Sequence, residues 1–211
     1  MLLQESFDRI AASGASGEEL SGLLWALWKQ VVDAAVDPST DQASLVGLLI
    51  GVRGNALFAD LPLFGAQMRE EWNLVPPDDR SVESWTRLNA FAARLTAAGV
   101  DFSLFGLWSI GTALETFCPV RLHLPAAVQW FEHCGPELVN ATLHRRTFGP
   151  GPGRLHELAA REGLAEGGFN VPRWTFWRSR LESLADSDDP VARAGFRAVR
   201  RFDKQIMRGA L

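Results

Sequence analysis

The chain has 211 residues, 47% hydrophobic and 22% charged, the balance of an ordinary globular protein rather than a disordered or fibrous one. Its formal net charge of −4 supplies neither the basic excess that holds nucleic acid nor the acidic run of a solvating tail. Two cysteines, Cys118 and Cys134, are too few for a disulfide framework or an all-cysteine zinc site, and as reduced thiols they point to the cytoplasm.

The opening segment, Met-Leu-Leu-Gln-Glu-Ser, lacks a positive n-region and an apolar h-region, so no secretory signal is expected. From Leu20 the apolar spacing is helical. Leu20, Leu24, Leu27, Trp28, Val31 and Ala35 step by three and four and share one helix face. After a turn at Asp37-Pro38-Ser39, Leu45, Leu48, Leu49, Val52 and Ala56 repeat the pattern. This stretch is much shorter than the ~20 residues of a membrane span. Leu63, Phe64, Met68 and Trp72 predict a short helix that stops before Pro76-Pro77. Trp85, Leu88, Ala92 and Leu95 form the next face, ended by Gly99 at the position past the last helical turn. Leu104, Leu107, Trp108, Gly111 and Leu114 follow, and Pro119 closes them.

Pro125 opens a longer predicted helix with Ala127, Trp130, Phe131, Cys134, Leu138 and Ala141 inward. Gly and Pro crowd residues 148–154, where no helix can continue. A short helix over 155–161, a Gly-rich turn at 163–168 and two C-terminal helices come next. The first of these starts at Pro172 and buries Trp174, Trp177, Leu181 and Leu184; the second has Asp189 as N-cap and Pro190 in the first turn. It turns Val191, Ala198, Phe202 and Ile206 inward. No segment alternates as a strand would. The expected fold is all-α, an irregular bundle of about eight helices forming a single domain over residues 1–211. The loop at 148–154 reads as a hinge or lid before the C-terminal helix pair.

Familiar chemical signatures are missing from the sequence. It has no GxxxxGK[ST] phosphate loop, GxGxxG, GxSxG, HExxH, CxxC or DDxxD. ATP-dependent, NAD-dependent, serine-hydrolase and metal-dependent diphosphate chemistry are therefore disfavoured. No cofactor and no metal are expected.

Four features remain. His133, Glu137, Asn140 and His144 fall on one face of the long predicted helix, where His133 and Glu137 would suit a shared metal; the plainer reading is a solvated face. Asn89, Arg94, Glu115 and Arg53 sit at the edges of apolar faces. A buried polar group must be paired, so these either lock the core through an internal Arg–Glu pair or orient a ligand in an apolar pocket. The aromatic load, 8 Trp and 13 Phe with no Tyr, is either plain core or the wall of a cavity for a flat apolar molecule. Trp25, Trp28 and Trp174 read as core. Arg193, Arg197, Arg200, Arg201, Lys204 and Arg208 make a basic C-terminal face, most simply a solvated one.

Residues 85–96 (Trp-Thr-Arg-Leu-Asn-Ala-Phe-Ala-Ala-Arg-Leu-Thr), 125–131 (Pro-Ala-Ala-Val-Gln-Trp-Phe) and 173–178 (Arg-Trp-Thr-Phe-Trp-Arg), with Asp60-Leu-Pro-Leu-Phe64 and Glu71-Trp72, together resemble a fungal family, domain of unknown function 3632. The similarity covers about residues 45–208, and the Pro-Gly run at 149–153 departs from the family's pattern. The resemblance implies a helical protein without an assigned general activity, some of whose relatives are encoded near secondary-metabolite genes. It supplies no catalytic residues.

The expected function is a cofactor-independent enzyme of fungal secondary metabolism acting on an apolar small molecule. Its most concrete form is a cyclase or pericyclase of the Diels–Alderase kind, which needs a shaped cavity and one or two polarising donors. Asn89, Glu115 and Arg94 are the expected catalytic groups, with Trp85, Trp108, Trp130, His133 and Arg53 lining the substrate. The alternative is a non-catalytic helical interaction or scaffolding module, compatible with a homodimer and marked by an exposed apolar patch.

Overall fold

The structure, a computed structural model, describes residues 3–149 and 151–209. Pro150, inside the predicted 148–154 loop, lies outside the described residues, as do Met1 and Leu2 of the opening segment and the last two residues. Among the described residues every regular element is a helix, twelve in all, which establishes the all-α class. The chain divides into two compact units, one ending at Phe91 and the other beginning at Ala92. No described helix is long and apolar enough to cross a membrane.

The first unit holds α1 (Leu3–Ala12), α2 (Gly17–Val36), α3 (Gln42–Val52) and α4 (Phe64–Trp72). The α2 stripe buries Leu24, Leu27, Trp28, Val31 and Ala35. Trp28 is the hub: its ring meets Phe7, Phe58 and Phe64, and its indole N–H donates to the Pro62 carbonyl at 2.7 Å. Burying a Trp this way gains its large apolar area while satisfying its one donor. Trp25, expected in this core, is 40% exposed, because one residue past Leu24 is about 100° round the helix. At α3 the Asp41 carboxylate accepts from the backbone of Ala43 and Ser44, a side-chain N-cap.

The boundary between the units falls within α5 (Val82–Ala97). Its N-terminal part belongs to the first unit, where Trp85 packs on Trp72 with ring centroids 5.0 Å apart. Gly99 ends it with φ +89°, and the Val100 N–H returns to the Leu95 carbonyl at 2.9 Å, the C-terminal motif that favours glycine.

The second unit contains α6 (Ser103–Glu115), α7 (Val120–His133), α8 (Gly135–Leu143), α9 (Glu157–Arg161), α10 (Val171–Ala185), α11 (Pro190–Arg200) and α12 (Asp203–Gly209). Helix α7 packs on α6 and α11, and α10 packs on α11 and α6. Between them Trp130, Phe131, Phe169, Trp174 and Trp177 are all at most 1% exposed. Asp189 caps α11 through the Val191 and Ala192 N–H groups, with Pro190 following as expected.

The long helix predicted from Pro125 differs in two ways. It begins earlier, at Val120, with Pro125 inside it, so His123 lies within a helix rather than before one. It also breaks at Cys134, whose φ of −135° and ψ of 20° are not helical. Pro136 explains the break, since it has no N–H to bond back into the preceding helix and its ring crowds the carbonyl four residues before it. Gly135 fits it too: a Cβ there would lie 2.2 Å from the Phe202 ring. This split, together with the short α1 and the separation of α12 from α11, accounts for the helices beyond those that periodicity predicted.

Trp130 packs flat on Gly106, where a Cβ would stand 2.7 Å from the indole Cε3. Gly106→Ala should therefore destabilise the protein by about 1–3 kcal/mol through overpacking. Gly22, exposed in α2 with nothing within 4 Å of its Cβ position, should gain up to ~1 kcal/mol on replacement by Ala. Chemical denaturation of the two variants checks the opposite signs.

Candidate functional site

The second unit is organised around a buried ion pair. Arg173 and Glu115 are both fully buried. The Arg173 Nε donates to Glu115 Oε1 at 2.6 Å and Nη2 to Oε2 at 3.0 Å. Its remaining donors reach three backbone carbonyls: Nη1 to Gly153 at 3.1 Å and Gly168 at 2.9 Å, and Nη2 to Arg154 at 3.0 Å. All five guanidinium N–H groups are thus engaged. Glu115 also accepts the Trp177 indole N–H on Oε1 at 2.6 Å and the His156 backbone N–H on Oε2 at 3.1 Å. The acid has no acceptor site left.

Local sequence places each partner. Glu115 is the last residue of α6. Arg173 sits in the first turn of α10, where the Asn170 side chain caps its N–H at 2.9 Å. Trp177 is one turn on, so Arg173 and Trp177 point at the same carboxylate. The two Gly-rich loops meet above the pair. The Gly168 N–H donates to the Gly153 carbonyl at 2.7 Å and the Phe169 N–H to the Arg146 carbonyl at 2.8 Å. Only glycine fits this crossing: a Cβ at Gly167 would lie 2.4 Å from the Gly153 oxygen, and one at Gly168 2.5 Å from the Arg146 oxygen. Trp108 adds a further tie, its indole N–H donating to the Pro152 carbonyl at 2.7 Å. The loop expected as a lid or hinge is thus held at residues 152, 153 and 154.

The outer face of these loops carries two adjoining clefts of about 600 and 630 Å³. Arg145, Ala165, Glu166 and Asn170 line both, so the two are lobes of one site. The first lobe adds Arg154, Thr147, Leu155 and Phe169, together with Gly153 and Gly168 from the floor. The second adds Leu143, Leu164, Val171 and Pro172. An exposed Arg145–Glu166 ion pair forms the ridge between them. Arg154 is exposed and makes no ion pair among the described residues. Arg145 holds a left-handed φ of +50° just past α8, where the Arg146 N–H closes back on the Ala141 carbonyl at 2.9 Å. Glycine is usual at that position, and an Arg there costs about 1–2 kcal/mol. It sets a guanidinium at the cleft.

None of the eight residues singled out from sequence lines these lobes. Trp85 and Asn89 belong to the first unit, where the fully buried Asn89 amide donates to the Trp85 carbonyl at 2.9 Å. Arg53, in the same unit, donates to the Ala59 carbonyl at 3.0 Å. In the second unit Glu115 is the acid of the ion pair, Trp130 lies against Gly106, and Trp108 ties down the loop. The structure does bring two of them together. Arg94 Nη2 lies 3.3 Å from His133 Nε2, although 39 residues separate them. The helix break at Cys134 turns His133 away from the rest of its predicted polar stripe. Glu137, Asn140 and His144 instead line a separate cleft of about 650 Å³ with Asp101 and Arg146. Among the described residues no group of three or more His, Cys, Asp or Glu side chains is placed to hold a metal.

Sequence reasoning missed Arg173, Arg145, Arg154 and Glu166. The last three sit in loops, which have no periodicity to read. The available signal was the crowding of Gly at 149–153 and 163–168 beside three arginines, Arg145, Arg146 and Arg154.

Burial disfavours charge on His123, His133 and His156. It holds His123 below the usual histidine pKa. His133 is lowered by burial and then by Arg94, against the pull of Glu132. His156 is lowered by burial; Glu115 exerts the largest charge effect and pulls it back up, ahead of the opposing push of Arg173 and Arg154. Burial, with Glu137 beside it, pushes the Cys134 thiol far up, which makes it a poor nucleophile.

The model of a family described as a protein of unknown function (DUF3632) matches residues 28–181. No curated protein and no solved structure matches the chain.

Glu115→Gln should cost about 3–5 kcal/mol, because it leaves the Arg173 charge buried and uncompensated; urea unfolding measures the loss. The three histidines set a pH trend. With folded pKa values below the unfolded value of about 6.5, they are neutral in both states at higher pH and contribute nothing there. As pH falls through about 6.5 the unfolded chain binds protons first, and stability is lost. Melting temperature should drop between about pH 7.5 and 5.5, and the drop should shrink in a variant with His123, His133 and His156 all changed to Gln.

Proposed function

Since the chain belongs to the family described as a protein of unknown function (DUF3632), we propose its role from the cleft itself: an enzyme that holds a small molecule across the two lobes and acts on it by positioning and charge. The substrate has an apolar body and an anionic or carbonyl group. The reading rests on one observation, the make-up of the lobes. Their walls are apolar, with Leu143, Leu155, Leu164 and Phe169, while the polar side chains are Arg145, Arg154, Glu166, Thr142, Thr147 and Asn170. Neither lobe is lined by a Cys, His or Ser, so the lining offers no ordinary activated nucleophile. What it offers is a shaped wall to fold a substrate and two guanidinium groups to stabilise developing negative charge. Cyclisation or pericyclic rearrangement needs no more than this, and works without a cofactor. The resemblance to a fungal family with some relatives encoded near secondary-metabolite genes supports a role in secondary metabolism, and the two free cysteines support a cytoplasmic setting.

The competing reading is a helical scaffolding module that self-associates. Its support is the apolar surface of the first unit, with Leu23 36%, Trp25 40%, Leu74 40% and Val75 39% exposed.

An anilinonaphthalene sulfonate, an apolar body with one anionic group, probes the cleft directly. Its binding should weaken about tenfold in Arg154→Ala, the loss of one charge-assisted contact, and should also fall in Leu164→Glu. Unchanged binding in both, with helicity intact by circular dichroism, removes the cleft as the site.

A further inference from the structure

We propose that Thr142 is a specificity-determining residue of the second lobe: its hydroxyl pairs with a hydroxyl or carbonyl group carried on the apolar body of the substrate. Thr142 lines that lobe and is fully buried. Its Oγ1 is closed off from solvent and has no hydrogen-bond partner among the described residues. A buried helical threonine commonly returns its hydroxyl to the carbonyl four residues back. Thr86, Thr96, Thr116 and Thr175 do so here, reaching Val82, Ala92, Thr112 and Val171 at 2.7, 2.9, 2.6 and 3.0 Å. Thr142, near the end of α8, makes no such bond to Leu138.

The other polar side chains of this lobe already have partners. Arg145 and Glu166 pair with each other. The Asn170 amide nitrogen donates to the Glu166 carbonyl at 3.1 Å and the Gly167 carbonyl at 3.3 Å, while its Oδ1 accepts the Arg173 N–H at 2.9 Å. Among the described residues of the wall, Thr142 is the one whose hydrogen-bonding capacity is unspent. An unpaired buried hydroxyl is unfavourable in the protein by itself, and a ligand group that meets it removes that cost. Such a group displaces no water from Oγ1, and the low local dielectric strengthens the bond. Both donors and acceptors suit a hydroxyl, which offers one hydrogen and two lone pairs.

Backbone geometry fixes where this hydroxyl stands relative to the anion-binding group. The Arg145 N–H donates to the Thr142 carbonyl at 3.2 Å, and the left-handed φ of Arg145 closes that turn. One turn thus carries the hydroxyl and a guanidinium on the same wall. A ligand whose anionic group engages Arg145 lays its body among Leu143, Leu164 and Val171, beside Thr142. A helical threonine has two open χ1 wells, so a single rotamer step exchanges its methyl for its hydroxyl at the lobe. The substrate class is therefore narrower than an apolar anion: it is an anion whose body bears a hydroxyl or keto substituent. This rests on the cleft being the binding site.

Displacement of bound anilinonaphthalene sulfonate from the full chain tests it, with naphthalene sulfonate as parent competitor and its hydroxylated isomers as the set. At least one isomer should bind about three- to tenfold more tightly than the parent, the gain from one neutral hydrogen bond. Thr142→Val, nearly equal in shape, should abolish that preference. It should also raise the melting temperature by about 2–4 °C, because it removes an unpaired buried hydroxyl. Thr142→Ser, which keeps the hydroxyl, should keep the preference. Equal binding of every isomer and the parent overturns the proposal, as does a preference that persists in Thr142→Val. A valine variant that melts lower or does not fold overturns it too, since the hydroxyl then has a structural partner. Dye binding that ignores both Arg154→Ala and Leu164→Glu ends the cleft reading and this inference together. Competitors that enter the cleft without preference end this inference alone.

Discussion

A single buried ion pair decides how the second unit is built. Two charges taken out of water incur a penalty that their attraction offsets only with good geometry and full hydrogen bonding. Arg173 and Glu115 meet that condition through seven hydrogen bonds drawn from α6, α10 and both loops. The guanidinium suits the role because it is planar and presents five donors in fixed directions; a lysine ammonium has three and no fork. Each carbonyl it collects belongs to a loop with no regular structure. The pair thus supplies the backbone partners that a helix or sheet would otherwise supply.

Helices were legible in the sequence wherever one apolar stripe met one packing face. The stripe from Leu24 to Ala35 and the capped start at Asp189 both stand as periodicity and cap chemistry require. Legibility failed at Cys134. There the apolar spacing runs on without interruption from Trp130 to Ala141, and only Gly135-Pro136 marks a break. The periodicity reports which residues face a core and is blind to a kink that preserves that facing. The polar residues paid no such regard to phase: His133 ends against Arg94, while Glu137, Asn140 and His144 go to another cleft.

The candidate site was harder to read, for a related reason. A buried Glu demands a partner, and that much follows from its position at the end of the α6 stripe. Which of the 19 arginines answers it depends on tertiary placement 58 residues away. Glycine offered a better clue than charge. Gly167 and Gly168 are needed because two backbones cross there at closer range than a Cβ allows. Two glycine clusters of this kind, flanked by arginines and separated by one short helix, imply loops pressed together rather than loops left free.

The aromatic interior and the cleft answer different needs. None of the eight tryptophans lines a lobe of the cleft. They fill space: Trp28 among three phenylalanines, Trp130 against Gly106, Trp177 on the ion pair. A close-packed interior of rigid rings resists deformation and transmits strain. That rigidity gives the loops a fixed base. The loops themselves are held by directional polar contacts, which respond to charge in a way that packing does not.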